Sequence, residues 1–299
     1  MPDAMNIFDR RIVRLHRDRA AGGLAENDFL LREVGDRLAD RLDDVKRRFP
    51  LALDLGCHTG ELGRLLGGRG GIESLVHCDL SPAMAARAPD LRLAADEEAL
   101  PFGEATFDLV TSLLSLHWVN DLPGALTQIR LALKPDGLFL AAMLGGDTLK
   151  ELRQALAEAE IAVEGGLSPR VSPFAGVRDV GGLLQRAGFA LPVVDTETLT
   201  VVYSDPFKLI ADLRAMGEAN AIIERRRGLS RRATLLEAAD RYRNACADAE
   251  GRVTATFQVI YLTGWSPHDS QPKPLRPGSA KASLADALGA TEPSTVGRT

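Results

Sequence analysis

The residues best placed to do chemistry lie in the stretch Asp54-Leu-Gly-Cys-His-Thr-Gly60, where a short apolar run ends in a glycine-bearing turn. Glycines there permit positive φ and a close approach of the backbone to a ligand, in the crevice beyond the carboxyl end of a strand. A dinucleotide site would carry a second glycine in its GxG step so that pyrophosphate can rest on the helix start. Here His58 stands at that position and an acid, Asp54, opens the motif, so nicotinamide dinucleotides are disfavoured. Asp79, nineteen residues past Gly60, closes the next apolar run, where a carboxylate can accept from two ribose hydroxyls. Asp96 closes the third, just before Glu97-Glu98-Ala-Leu-Pro101-Phe102, and a carboxylate there can accept from an exocyclic adenine amine. Together the three acids describe recognition of an adenosyl group.

The elements that must position these acids are legible from periodicity. Residues 51–55 read as a buried strand and 61–66 as a helix; strands follow at 74–78, 91–94, 107–113 and 138–143, with helices at 82–88 and 122–133. Such alternation implies an α/β fold, a mostly parallel sheet with helices on both faces. Before it, residues 27–49 place apolar side chains at three- and four-residue steps, an amphipathic helix that makes 1–50 an N-terminal helical segment. After Gly146 the rhythm breaks. A helix at 147–163 and a Gly/Pro/Ser loop at 165–173 read as one insertion, followed by a helix at 176–187 and an alternating strand at 193–203. Helical residues 206–250, in two parts separated near Gly228, read as a second, lid-like insertion before a last strand at 252–264. The catalytic-type domain thus spans 51–265, and the Pro/Gly/Ser-rich tail 266–299 is expected to be largely disordered at its end.

The ordered set Asp54-Leu-Gly-Cys-His-Thr-Gly60, Asp79, Asp96 with its Leu-Pro-Phe, Phe107-Asp-Leu-Val110 and Leu133-Lys-Pro-Asp-Gly137 resembles the class I S-adenosylmethionine-dependent methyltransferases. The resemblance implies a Rossmann-like, seven-stranded sheet and S-adenosyl-L-methionine as cofactor. It places Asp54, Gly56, Cys57, His58, Gly60, Asp79, Leu80, Asp96 and Glu97 around that cofactor, with His58 a departure from the usual glycine. A narrower likeness rests on Met5-Asn-Ile-Phe-Asp-Arg10, Glu33-Val-Gly-Asp-Arg37, Ser115-Leu-His-Trp-Val-Asn-Asp121, and Gly264-Trp265 followed by His268-Asp-Ser-Gln271. These stretches are similar to bacterial relatives of the mitochondrial complex I assembly factor described as an arginine hydroxylase. That likeness implies a protein substrate, a complex I subunit, and a bacterial cytoplasmic location. The malonyl-carrier-protein methyltransferases of biotin synthesis are similar too. A carrier-protein or small-molecule O-methyltransferase and a non-catalytic cofactor-binding chaperone therefore stay open as alternatives.

His117 and Trp118 follow the fourth strand, where this fold presents substrate-side groups, and they are the candidate catalytic pair. The alternative is that Trp118 packs under the adenine or a helix and His117 is a hydrogen-bonded structural residue. Hydroxylation itself is not derivable from these residues: a facial triad needs two histidines and a carboxylate in local spacing, and His16, His58, His77, His117 and His268 show none. No metal is expected. Arg225-Arg-Arg227 with Arg231-Arg232 reads as a solvated face or a docking patch for an acidic partner. The net charge of −5 over 299 residues argues against nucleic acid. Cys57, Cys78 and Cys246 show no paired spacing, so neither disulfide nor thiolate zinc is expected, and no run is long and apolar enough to cross a membrane.

Overall fold

The computed structural model describes residues 6–272. At its centre, Leu51–Leu55 (β1) is an apolar run buried on both faces, as a strand between helical layers must be. The chain adds Ser74–Asp79 (β2) and Leu91–Ala94 (β3) on one side of β1, then Phe107–Leu113 (β4) and Leu133–Leu144 (β5) on the other. The order β3-β2-β1-β4-β5-β7-β6 completes a seven-stranded sheet, mostly parallel as expected, in which only Val253–Trp265 (β7) runs against its neighbours β5 and Ala190–Tyr203 (β6). Because the winding reverses between β1 and β4, a crevice opens beyond their carboxyl ends, and the candidate loop is there.

Helices Glu61–Leu66 (α3), Pro82–Ala85 (α4), Leu122–Ala132 (α5), Lys150–Glu164 (α6) and Val177–Arg186 (α7) join the strands. The 147–173 stretch holds α6 and no strand, and the segment between β6 and β7 contributes Pro206–Ala215 (α8) and Arg232–Cys246 (α9). Helices α6 and α9 pack on each other, so the two insertions form one layer. Between α8 and α9, however, residues 216–231 form a loop much wider than the break expected at Gly228.

Two N-terminal helices precede the sheet. Phe29–Asp43 (α2) buries Leu30, Leu31, Val34, Leu38 and Leu42 on one face. It stops six residues short of the expected end because Lys46, Arg47 and Arg48 offer no apolar stripe, and the chain turns so that Phe49 enters the core with its N–H on Gly70 O at 2.8 Å. Arg10–Ala20, a helix α1 that periodicity did not show, is capped by Asp9 and buries Val13, Arg17 and Ala20. An arginine occupies the middle of its buried stripe, which erases the apolar repeat. The expectations for residues 1–5 and for the end of the tail lie outside the described residues. No described helix is long and apolar enough to cross a membrane.

Candidate functional site

The loop after β1 bends as its sequence requires. Gly56 has φ +69, and a Cβ there would meet Ser115 Oγ at 2.1 Å, so only glycine fits against the end of β4. His58, at the usual glycine position, also takes the left-handed conformation (φ 51), and its Nε2 lies 3.0 Å from Leu113 O, which fixes that nitrogen as the donor. Its Nδ1 is buried without a hydrogen-bond partner among the described residues. Asp54 Oδ2 pairs with His77 Nδ1 at 3.1 Å, and burial pushes its carboxyl up. Cys57 is buried, and desolvation first, with Asp54 and Asp79 adding to it, pushes its thiol up, which disfavours the thiolate.

Asp79 ends β2 fully buried. Its Oδ2 accepts from His58 N–H at 3.0 Å and its Oδ1 from Ser81 N–H at 2.7 Å. Asp96 follows the end of the neighbouring strand and accepts from Glu98 N–H at 2.9 Å. The two acids therefore sit at adjacent strand ends. Helix α1 has claimed them: Arg17 donates to Asp79 (3.3 and 3.4 Å), to Glu97 Oε1 (3.2 Å) and to Ser115 Oγ (2.8 Å), while Arg10 donates to Asp96 (2.5 Å) and to Glu97. Arg17 is only 1% exposed. Burial alone would lower its pKa, but Asp79, Glu97 and Glu218 raise it above the ordinary value. Burial likewise works against the Glu97 carboxylate, and Arg10 and Arg17 overcome it to bring that group down to about 2. Glu97, expected on the cofactor, is thus the hub of an ion network with α1. Leu80 packs with Phe8, Val13 and Trp118.

Each polar residue of Ser115-Leu-His-Trp-Val-Asn-Asp121 has a partner. Ser115 joins the Arg17–Glu97 network. His117 Nε2 and Trp118 Nε1 both meet Glu218 Oε2 at 3.0 Å. Asn120 Oδ1 accepts from Ile7 and Phe8 N–H at 2.8 and 2.7 Å, and Asp121 caps α5. Trp118 packs edge-on against Phe8 and beside Val13 of α1, as the adjacent-helix alternative expects.

Glu218 carried no motif. It lies 101 positions from His117, just past α8, where Gly217 (φ 84) lets Glu218 N–H reach back to Leu213 O at 2.8 Å, a helix closure that needs glycine. A helix ending in Met-Gly was the one signal available. Burial opposes its charge, but His117, Arg17 and His58 hold its carboxyl below the usual range. Next to it opens a cavity of about 390 Å³ walled by Leu144, Leu149, Leu152, Leu156 and Leu213. Glu218 and Leu144 also border a smaller void that reaches His58. Arg227, Arg231 and Arg232 of the arginine cluster are exposed, as the solvated-face reading expects, whereas the other two members turn inward. Arg225 and Arg226 line the cavity, with Arg225 Nη2 3.6 Å from Asp9 and Arg226 on Glu164. Among the described residues no group of three or more His, Cys, Asp or Glu is arranged to hold a metal.

Residues 53–141 match the model of a methyltransferase domain. The chain is 46% identical over 289 residues to the mitochondrial arginine-hydroxylase NDUFAF5 of Danio rerio, covering 94% of this chain and 89% of that protein. It is also 40% identical over 271 residues to the malonyl-[acyl-carrier protein] O-methyltransferase of Halorhodospira halophila, covering 88% and 90%. The chain belongs to the class I S-adenosylmethionine-dependent methyltransferases. The YcgJ protein of Bacillus subtilis superposes with a TM-score of 0.55 at 14% identity, over 77% of this chain and 98% of that one, which shows the shared fold. As a member of this superfamily the chain is a methyltransferase-type enzyme with S-adenosylmethionine as cofactor. The matched segment contains the loop, both acids and the His117–Trp118 pair, whereas Arg10, Arg17 and Glu218 lie outside it.

Proposed function

We propose that the chain uses S-adenosylmethionine in modifying an arginine side chain of a protein substrate, in the assembly of respiratory complex I. The observation that carries this reading is the near full-length identity to an arginine hydroxylase, which extends through both insertions. The site's donor set supports the cofactor half. The 56–60 turn would hold the methionine portion, Asp79 the ribose hydroxyls and Asp96 the adenine amine; His58 Nδ1, buried and unpartnered, is a free acceptor beside them. These residues fit the group once Arg17 and Arg10 release the two carboxylates. When bound, the cofactor supplies a methyl on a sulfonium centre. The chain's own part is to orient the acceptor and exclude water, and Trp118, His117 and Glu218 close the site toward the cavity.

Two measurements test this reading. Calorimetry should show saturable binding of S-adenosylhomocysteine that Asp79→Asn weakens by roughly tenfold or more, the loss of charge-assisted bonds to two hydroxyls; no binding to the parent protein sinks the cofactor half. The intact mass of candidate complex I subunits, compared between cells with and without the gene, should differ by about 16 Da for oxygen or about 14 Da for methyl. The cofactor's methyl accounts for about 14 Da; about 16 Da, which the arginine-hydroxylase relationship supports, needs dioxygen and a two-electron reductant besides, and no shift rejects enzymatic modification. Biotin-dependent growth of the knockout would instead support the carrier-protein reading, which the second relationship favours.

A further inference from the structure

We propose that Glu218 is the specificity-determining residue for the acceptor: it selects a side chain with an apolar stem and a cationic head. This rests on the reading above for the existence of an acceptor, and adds the group that recognises it. Glu218 Oε2 is occupied by His117 Nε2 and Trp118 Nε1, whereas Oε1 accepts no hydrogen bond from the described residues. The carboxylate is therefore oriented by two donors on one oxygen, leaving the other without a hydrogen bond from the described residues, on a side chain that is 12% exposed and lines the cavity. The voids that Glu218 shares extend on one side to His58 of the cofactor loop and on the other to the leucine-walled cavity. A long side chain entering through the cavity would lay its methylenes on Leu152, Leu156 and Leu213 and bring its head to Glu218, next to the methionine end of the loop.

The rim of the cavity looks at first like an anion site, since Arg170, Arg225 and Arg226 line it. Those guanidiniums are already engaged. Arg170 holds Glu160 at 2.7 Å and Ser230 at 2.8 Å, Arg226 holds Glu164, and Arg225 lies against Asp9 and donates to Ile222 O at 2.8 Å. Arg214, also on the rim, is exposed, where a charge acts weakly through solvent. A free, partly desolvated carboxylate oxygen at the inner end discriminates more strongly than paired cations at the mouth. An anionic acceptor head would meet Glu218 as a like charge.

The experiment titrates the full-length protein, with and without S-adenosylhomocysteine, with three probes followed by ligand-observed NMR: Nα-acetyl-arginine amide, Nα-acetyl-norleucine amide and glutarate. The arginine probe should bind at least roughly tenfold more tightly than norleucine, as a charge-assisted hydrogen bond predicts. Glu218→Gln keeps the acceptor for His117 and Trp118 and should abolish that preference, and Glu218→Asp should retain part of it. Equal binding of arginine and norleucine, tightest binding of glutarate, no binding of any probe, or a preference that survives in Glu218→Gln each overturns the inference. Loss of S-adenosylhomocysteine binding in the parent protein, with arginine selectivity intact, would overturn the cofactor reading instead.

Discussion

At the residue scale, Arg17 takes over the hydrogen-bonding capacity that Asp79 would offer to a ribose, and Glu97 is what makes its burial tolerable. The sign of the resulting pH effect is fixed. Glu97 is depressed from an ordinary 4.5 to about 2 in the folded chain. Its stabilising contribution is therefore fully present above pH 4.5 and is lost as pH falls through 2. The shift corresponds to a contribution on the order of 3 kcal/mol. Urea unfolding of Glu97→Gln should accordingly show a deficit against the parent protein that is full at pH 6 and narrows steadily below pH 4.5. A deficit independent of pH across that range would mean that Glu97 contributes by packing and not by charge.

At the element scale, α1 is a strap that holds Asp79 and Asp96 with two guanidiniums, and on the proposed reading cofactor binding displaces it. Arg17→Met should therefore bind S-adenosylhomocysteine several-fold more tightly than the parent protein, while the free protein loses roughly 3 kcal/mol or more, because Asp79 and Glu97 stay buried with one partner fewer. Calorimetry and thermal melts in parallel read both. Weaker cofactor binding would instead make Arg17 a cofactor ligand. The same helix marks where the sequence was and was not readable. Strands β1, β3 and β4 matched to the residue: β1 and β4 because buried parallel strands are largely apolar runs with sharp borders, and β3, an exposed edge strand holding Arg92, because Pro89-Asp90 before it and Asp96 after it bound it. The places of Asp79 and Asp96 at adjacent strand ends were readable because each acid closes an apolar run. Helix α1 was hidden by Arg17 in its buried stripe, and Glu218 by its place in a loop whose partners, His117 and Trp118, are distant in sequence.

At the scale of the whole molecule, the strap and the 216–231 loop are one lid built from opposite parts of the chain. Phe8 bridges Ile222 in antiparallel fashion, Asp9 N–H meets Ala221 O at 2.8 Å, and Ile223 N–H meets Ile7 O at 2.9 Å. Phe8, Val13, Trp118, Ala221 and Ile222 bury one another in a small cluster separate from the two main cores. Asn120 ties this lid to the sheet, since it alone takes both Ile7 and Phe8 N–H and returns Nδ2–H to Phe8 O at 3.1 Å. A small cluster held by few backbone bonds opens below the free energy of global unfolding. Asn120→Ala should therefore speed amide exchange at residues 7–20 and 219–225 together, by roughly tenfold for each 1.4 kcal/mol lost. Exchange in β1 and β4 should stay unchanged, and the lowered cost of opening should speed cofactor association. Mass-resolved hydrogen exchange measures both segments in one experiment. If only residues 7–20 accelerate, the strap and the loop are separate pieces. In that case acceptor entry past Glu218 and cofactor entry past Arg17 are independent events, and binding of one leaves the rate of the other unchanged.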